Sequence, residues 1–121
     1  TAIAAAGGTV DPTWKLDGVN LLPYLTGHNS AEPHKALYWR YGEQWAIRDG
    51  DWKLVASRLD ANQAKLFDLS KDIGEANDLS LQEPEKVKEL TGAWKAWNAE
   101  QSPALWQPGK AAEKKAKKGQ D

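Results

Sequence analysis

Four short runs of alternating apolar and polar side chains occupy the middle of the chain. In 37–41, Leu37, Trp39 and Tyr41 alternate with Tyr38 and Arg40. In 44–48, Trp45 and Ile47 alternate with Ala46 and Arg48, and in 52–57, Trp52, Leu54 and Ala56 alternate with Lys53, Val55 and Ser57. In 65–69, Phe67 and Leu69 share one face. A period of two with short connections predicts an antiparallel meander with one buried and one wetter face. The alternation assigns Trp39, Trp45 and Trp52 to the same inward set as Leu37, Ile47 and Leu54. The second and third runs meet at Asp49-Gly50, a dipeptide that accepts the positive φ of a tight hairpin turn. Residues 58–64 show no apolar pattern and read as a polar loop.

The period then changes. From Pro84 onward, Val87, Leu90, Trp94 and Trp97 recur at helical spacing, with Lys86, Glu89 and Lys95 off the stripe. Pro84 suits a first helical turn because it lacks a donor that would be unpaired there anyway. Glu83 and Glu85 suit the positive end of the helix dipole. The stripe is expected to pack on the sheet face bearing Ile47, Leu54 and Phe67, with Gly92 permitting close approach. Upstream, residues 1–8 read as the end of a helix stopped by Gly7-Gly8, and 17–27 as a short apolar turn ending at Gly27. The fold class expected is therefore α+β: a four-stranded antiparallel sheet with one long C-terminal helix packed on it.

Composition narrows the chemistry. With 121 residues and 40% apolar side chains there is material for one small domain, and seven Trp must supply much of its core. There is no Cys, so neither a disulfide framework nor a thiolate metal site can form. There is no Met either, and the chain reads as a segment of a longer protein. No apolar run approaches the roughly 20 residues that cross a bilayer, so no membrane partner is expected. The net charge of −1 is uneven: residues 110–121 carry +3 and the remainder −4. An acidic body with a Lys-rich tail offers no basic surface for nucleic acid. That tail reads as solvated chain; the alternative is long-range attraction of an anionic polymer such as a sulfated glycan.

Candidate chemistry is sparse. Asp49 and Asp51 flank Gly50 and read as turn residues rather than paired catalytic carboxylates. Asp72, Glu75, Asn77 and Asp78 lack the spacing and glycine of an EF-hand loop. They read as a polar exit from the fourth strand, with Asp68 and Asp72 accepting backbone donors. His28 and His34 stand six apart in a polar loop, too few for a metal site alone. Arg40, Tyr41, Glu43, Gln44 and Trp45 surround the first hairpin turn; Arg suits sulfate or carboxylate, and aromatic faces suit sugar rings.

Four segments, in order, carry a family resemblance. Residues 17–27 fit Asp-Gly-x-x-Leu-Leu-Pro-x-Leu-x-Gly. Tyr38-Trp39-Arg40 fits an aromatic strand ending in Trp-Arg, and 46–54 fits Ala-Ile-Arg-x-Gly-x-Trp-Lys-Leu. Residues 66–79 fit Leu-Tyr-Asp-Leu-x-x-Asp-Pro-x-Glu-x-x-Asn-Leu, with Phe67, Ile73 and Asp78 as departures. Residues 1–8 resemble the tail of the Pro-Thr-(apolar)-Ala-Gly helix that precedes them. Over roughly residues 1–100 the chain resembles the C-terminal region of the sulfatases, alkaline-phosphatase-like sulfuric ester hydrolases.

That resemblance implies a division of labour. The family's nucleophile is a formylglycine made in Cys/Ser-x-Pro-x-Arg, and none of Ser30, Ser57, Ser70, Ser80 or Ser102 begins that motif. Formylglycine and calcium are thus implied for a parent catalytic domain, with no catalytic residue, metal or cofactor in this chain. Residues 1–30 would be the end of that domain and a connector, 31–101 the C-terminal subdomain, and 102–121 a flexible basic tail. The subdomain would complete the fold and border the substrate cleft, with Arg40, Tyr41, Gln44 and Trp45 as the candidate substrate-binding residues. The implied partners are the N-terminal catalytic domain and, through it, a sulfated carbohydrate or aryl sulfate ester. The implied location is periplasmic or secreted. The fragment alone is expected to be inactive and to self-associate through its apolar first 30 residues. The alternatives are a free-standing carbohydrate-binding module using exposed Trp, or a structural interaction module.

Overall fold

The structure, a computed structural model, describes residues 1–61 and 63–103. Backbone contacts divide it into two units, Thr1–Lys35 and a second beginning at Ala36. The expected tail and Trp106 lie outside the described residues.

The first unit contains two single-turn helices, α1 (Ala2–Ala5) and α2 (Leu22–Leu25). As the sequence indicates, glycine ends α1. Gly7 adopts φ +76°. The Gly8 amide reaches back to the Ile3 carbonyl (2.9 Å) and the Gly7 amide to that of Ala4 (3.0 Å). This pair of bonds satisfies carbonyls a helix end leaves open. Thr1 ties the two turns together: its hydroxyl donates to the Val19 carbonyl (3.1 Å) and accepts from the Leu21 amide (2.9 Å).

The second unit is the α+β fold expected. Strands β1 (Ala36–Tyr41), β2 (Gln44–Asp49), β3 (Trp52–Ala56) and β4 (Ala64–Asp68) form an antiparallel sheet in the order β1-β2-β3-β4. Helix α3 (Pro84–Ala99) packs on it. Two-residue loops join β1 to β2 and β2 to β3, with Gly42 (φ +61°) and Gly50 (φ +58°) at their first central positions. A positive φ there gives the turn twist that matches paired strands. These loops fix the register, and one rung of it runs Tyr38–Ile47–Leu54–Leu66 across all four strands.

That rung is the core. Ile47, Leu54 and Leu66 are fully buried beneath Leu90, with Val87, Ala93 and Trp94 of α3 packed around them. Each such side chain contributes about 1.5–3 kcal/mol by leaving water. The stripe at Val87, Leu90, Trp94 and Trp97 therefore meets the sheet as expected. Trp97 stacks on Tyr38 (centroids 5.0 Å, planes 8° apart), and Trp94 lies against Trp45 (4.8 Å).

Three expectations are corrected. Leu37, Trp39 and Tyr41 do not share the core face; they are 40%, 48% and 62% exposed, and Ala36, Tyr38 and Arg40 face the helix side. The turn dictates this. With Tyr41 opposite Gln44, Trp39 falls opposite Ala46, one residue out of phase with Ile47. A one-residue offset exchanges the faces of a strand. Phe67 likewise pairs with Lys53 and lies on the face away from α3, while Leu66 takes the core position. Gly92 is on the exposed side of α3, and a methyl group there would meet nothing within 4 Å, so it permits no close approach.

The exit from β4 shows why this stretch is rich in carboxylates. Asp68 accepts from the Ser70 amide (3.1 Å) and Lys71 Nζ (2.7 Å). Asp72 accepts from the Asn77 amide (2.8 Å), closing the loop between them. Asp78 accepts from the Leu66 and Ser80 amides (3.1 and 2.9 Å), and the Leu79 amide donates to the Leu66 carbonyl (2.8 Å). The returning chain thus occupies the outer edge of β4, where a bare strand edge would invite foreign pairing.

Candidate functional site

The face of the sheet away from α3 carries two grooves that share Trp39, Ala46 and Val55. The first, about 240 Å³, sits at the β1–β2 end and brings together Arg40, Tyr41, Gln44 and Trp45, with Ser57 opposite. The four residues singled out from the sequence are therefore neighbours, but they are not equivalent. Cross-strand pairing sets Tyr41 with Gln44 and Arg40 with Trp45, on opposite faces. Tyr41 is open to solvent. Gln44 is half-buried, and its Oε1 accepts from the Arg58 amide (3.4 Å). Arg40 turns to the helix side, donating to Asn98 Oδ1 and to the Ser102 carbonyl, both at 2.7 Å. Its guanidinium ties β1 to the C-terminal end of α3. Trp45 rests on Trp94, whose indole N–H donates to the Trp39 carbonyl (3.1 Å).

The second groove, about 430 Å³, lies further along the same face between Trp39, Arg48, Lys53, Leu69, Ile73 and Glu75. Lys53 Nζ and Glu75 form an ion pair on one side of it. Glu75 reaches this position from a loop in which its own backbone takes φ +55°. Arg48 is exposed, and its Nε donates to the Gly50 carbonyl (3.0 Å). Sequence reasoning missed this groove. The signal available was the two-residue turn, whose register puts Trp39, Arg48 and Lys53 on one face.

The titrating groups elsewhere are structural. The Lys71 ammonium and the Ser70 hydroxyl hold the Asp68 carboxyl below its ordinary value. The amides of Asn77 and Ala76 do the same for Asp72, and Lys65 with Ser57 for Asp60. Burial pushes Asp78 up, but the Ser80 and Leu66 donors and the Lys65 charge outweigh it, so its carboxyl is also lowered. Paired with Asp60, Lys65 is raised. His28 Nδ1 lies 2.7 Å from Thr26 Oγ1 in the first unit. Among the described residues, no cluster of three or more His, Asp or Glu side chains is arranged for a metal ion, and no helix is long and apolar enough to cross a membrane.

No family model matches the chain. It is 26% identical to the uncharacterized sulfatase YdeN of Escherichia coli (strain K12), over 87% of this chain and 25% of that protein. Among solved structures it is similar to Ps i-CgsB (TM-score 0.71, 22% identity, 92% of this chain and 25% of that one), which was also crystallised with k-i-k-neocarrahexaose. It is similar, too, to BT1596, a 2-O GAG sulfatase (TM-score 0.56, 24% identity, 82% and 22%). The chain spans about a quarter of the length of these relatives. The resemblance to the C-terminal region of sulfatases, read from four ordered motifs, is borne out.

Proposed function

We propose that this chain is the C-terminal subdomain of a sulfatase: it completes the parent fold and borders the substrate cleft, without catalytic residues of its own. The observation that carries this reading is that more than four-fifths of the chain matches about a quarter of proteins named as sulfatases. Formylglycine would reside in the parent catalytic domain, because this chain has neither a Cys nor a Ser in the required motif, and the family resemblance implies calcium there too. Within the hairpin groove the roles divide. Tyr41 and Gln44 would meet a sulfated carbohydrate or aryl sulfate ester held by the parent. Trp45 and Arg40 would hold the turn in place through Trp94, Asn98 and Ser102.

The test uses the whole sulfatase. Replacing Tyr41 and Gln44 together by Ala should raise KM for a sulfated oligosaccharide by about tenfold, as expected for losing one or two polar contacts, while leaving kcat near its starting value. An unchanged KM would remove the turn from the cleft. The 121-residue chain alone should release no sulfate from a chromogenic aryl sulfate. Turnover abolished by a point change within the chain would overturn the reading.

One observation favours a second reading. A carbohydrate-binding module needs aromatic rings on a solvent face, and the outward row Leu37-Trp39-Tyr41 supplies two.

A further inference from the structure

We propose that the 430 Å³ groove on the open face of the sheet is a binding site in its own right for one anion-bearing sugar ring, stacked on Trp39 with its anionic group on Arg48. It shares Trp39, Ala46 and Val55 with the hairpin groove, but its charged groups are Arg48, Lys53 and Glu75 rather than residues of the hairpin turn.

Shape comes first. Across the strands, Trp39 stands beside Ala46, and Ala46 beside Val55. A large ring next to two small side chains leaves a floor with an aromatic wall, and Leu69 and Ile73 close the far side. The volume is at the small end of ligand sites and suits one or two rings rather than a long polymer. The indole presents an electron-rich apolar face, which fits the C–H face of a pyranose better than it fits a peptide backbone.

Charge then selects the ligand. Arg48 is anchored through Nε on the Gly50 carbonyl, and its two η nitrogens meet no acceptor among the described residues. A guanidinium held by one nitrogen with the other two free is poised for a planar or tetrahedral oxyanion. Lys53 donates one ammonium N–H to Glu75, so the pair leaves two ammonium donors beside a carboxylate acceptor, the pattern that neighbouring hydroxyls require. Lys53 is already paired with Glu75, which leaves the Arg48 guanidinium as the groove's match for one anionic group. The ligand is therefore a single ring with one anionic substituent, sulfate or carboxylate.

The experiment is an NMR titration of the 121-residue chain with three disaccharides: one sulfated, one containing a uronic acid, and neutral lactose. The Trp39 indole N–H and the Arg48 side chain should shift with at least one anionic disaccharide at millimolar concentration and not with lactose. The two anionic arms distinguish sulfate from carboxylate. Arg48→Gln should weaken binding by about tenfold, the effect of losing a charge-assisted hydrogen bond. Trp39→Leu should abolish it, while the ring-current-shifted signals of the Tyr38–Trp97 stack stay in place and show that the fold is intact. Shifts confined to Tyr41–Gln44 would overturn this site while supporting the hairpin turn as the contact. Equal binding by Arg48→Gln, or no shift with either anionic sugar, would overturn it outright.

Discussion

The two faces of the sheet are made from alternate residues of the same four strands, yet they have opposite fates. Towards α3, the rung Ile47–Leu54–Leu66 is sealed beneath Leu90, and rings from strand and helix close around it. On the other side, Leu37, Trp39 and Tyr41 stand 40–62% exposed beside Arg48 and two grooves. Hydrophobicity does not distinguish the two sets, since both include a Leu and large rings. What separates them is phase, set by turns two residues long. The inner face is sealed by the helix, whereas the outer face is covered in part, burying Ala46 and Phe67 and leaving Leu37, Trp39 and Tyr41 to solvent.

The contrast is broken most sharply at Leu90. Leu90→Ala removes the cap of the buried rung and should cost about 2–5 kcal/mol in urea denaturation. For a domain with about 5–15 kcal/mol in total, that is a large share. A loss below about 0.5 kcal/mol would place the helix off the core.

Asp78→Ala comes next. It leaves the Leu66 amide unpaired on the edge of β4 and should cost about 1–3 kcal/mol. It should also change the acid limb of stability. The Asp60, Asp68, Asp72 and Asp78 carboxyls all titrate lower in the fold than in the unfolded chain. Their contribution is therefore complete above the unfolded value, about 4, and is lost as the pH falls through their folded values. Denaturation from pH 7 to 3 should show that decline, and Asp78→Ala should make it shallower. An identical slope in the two proteins would exclude Asp78 from the linkage. The lysines act in the opposite range: Lys65 and Lys71 are raised, so their share is present below the ordinary lysine value and lost at pH above it.

The smallest effect belongs to the outer face. Leu37→Thr should change stability by no more than about 0.5 kcal/mol, because the side chain is already 40% in water and Thr suits a strand. A cost near that of Leu90→Ala would mean that the two faces are equally structural.

Much of this fold is legible in the sequence. The period-two runs, the Gly50 turn, the Pro84 start and the helical stripe each have a local cause, and each appears where the pattern puts it. The phase of β1 was the hard part. Leu37, Tyr38, Trp39 and Tyr41 make that strand apolar on both sides, so alternation alone cannot choose between them. Only the pairing of Tyr41 with Gln44 decides, and that is a property of the turn. Phe67 misled for the same reason, since Leu66 and Phe67 are adjacent and both large. The hairpin cluster was legible because its residues are close in sequence. The Arg48 groove was not, because Ile73 and Glu75 join it from a loop beyond β4.

The rings on the inner face have an optical consequence. Tyr38, Trp97, Trp94 and Trp45 follow one another at centroid spacings of 5.0, 6.3 and 4.8 Å. At such distances the indole transitions couple, and excitation passes between rings before it is emitted. Two of these rings lie on strands and two on the helix, so the Tyr38–Trp97 and Trp45–Trp94 couplings exist only while α3 is docked. The exciton signature in circular dichroism is therefore an intrinsic gauge of helix docking. Trp39 stands outside that series on the opposite face, and among the described residues Trp14 and Trp52 also stand outside the ring contacts of the series.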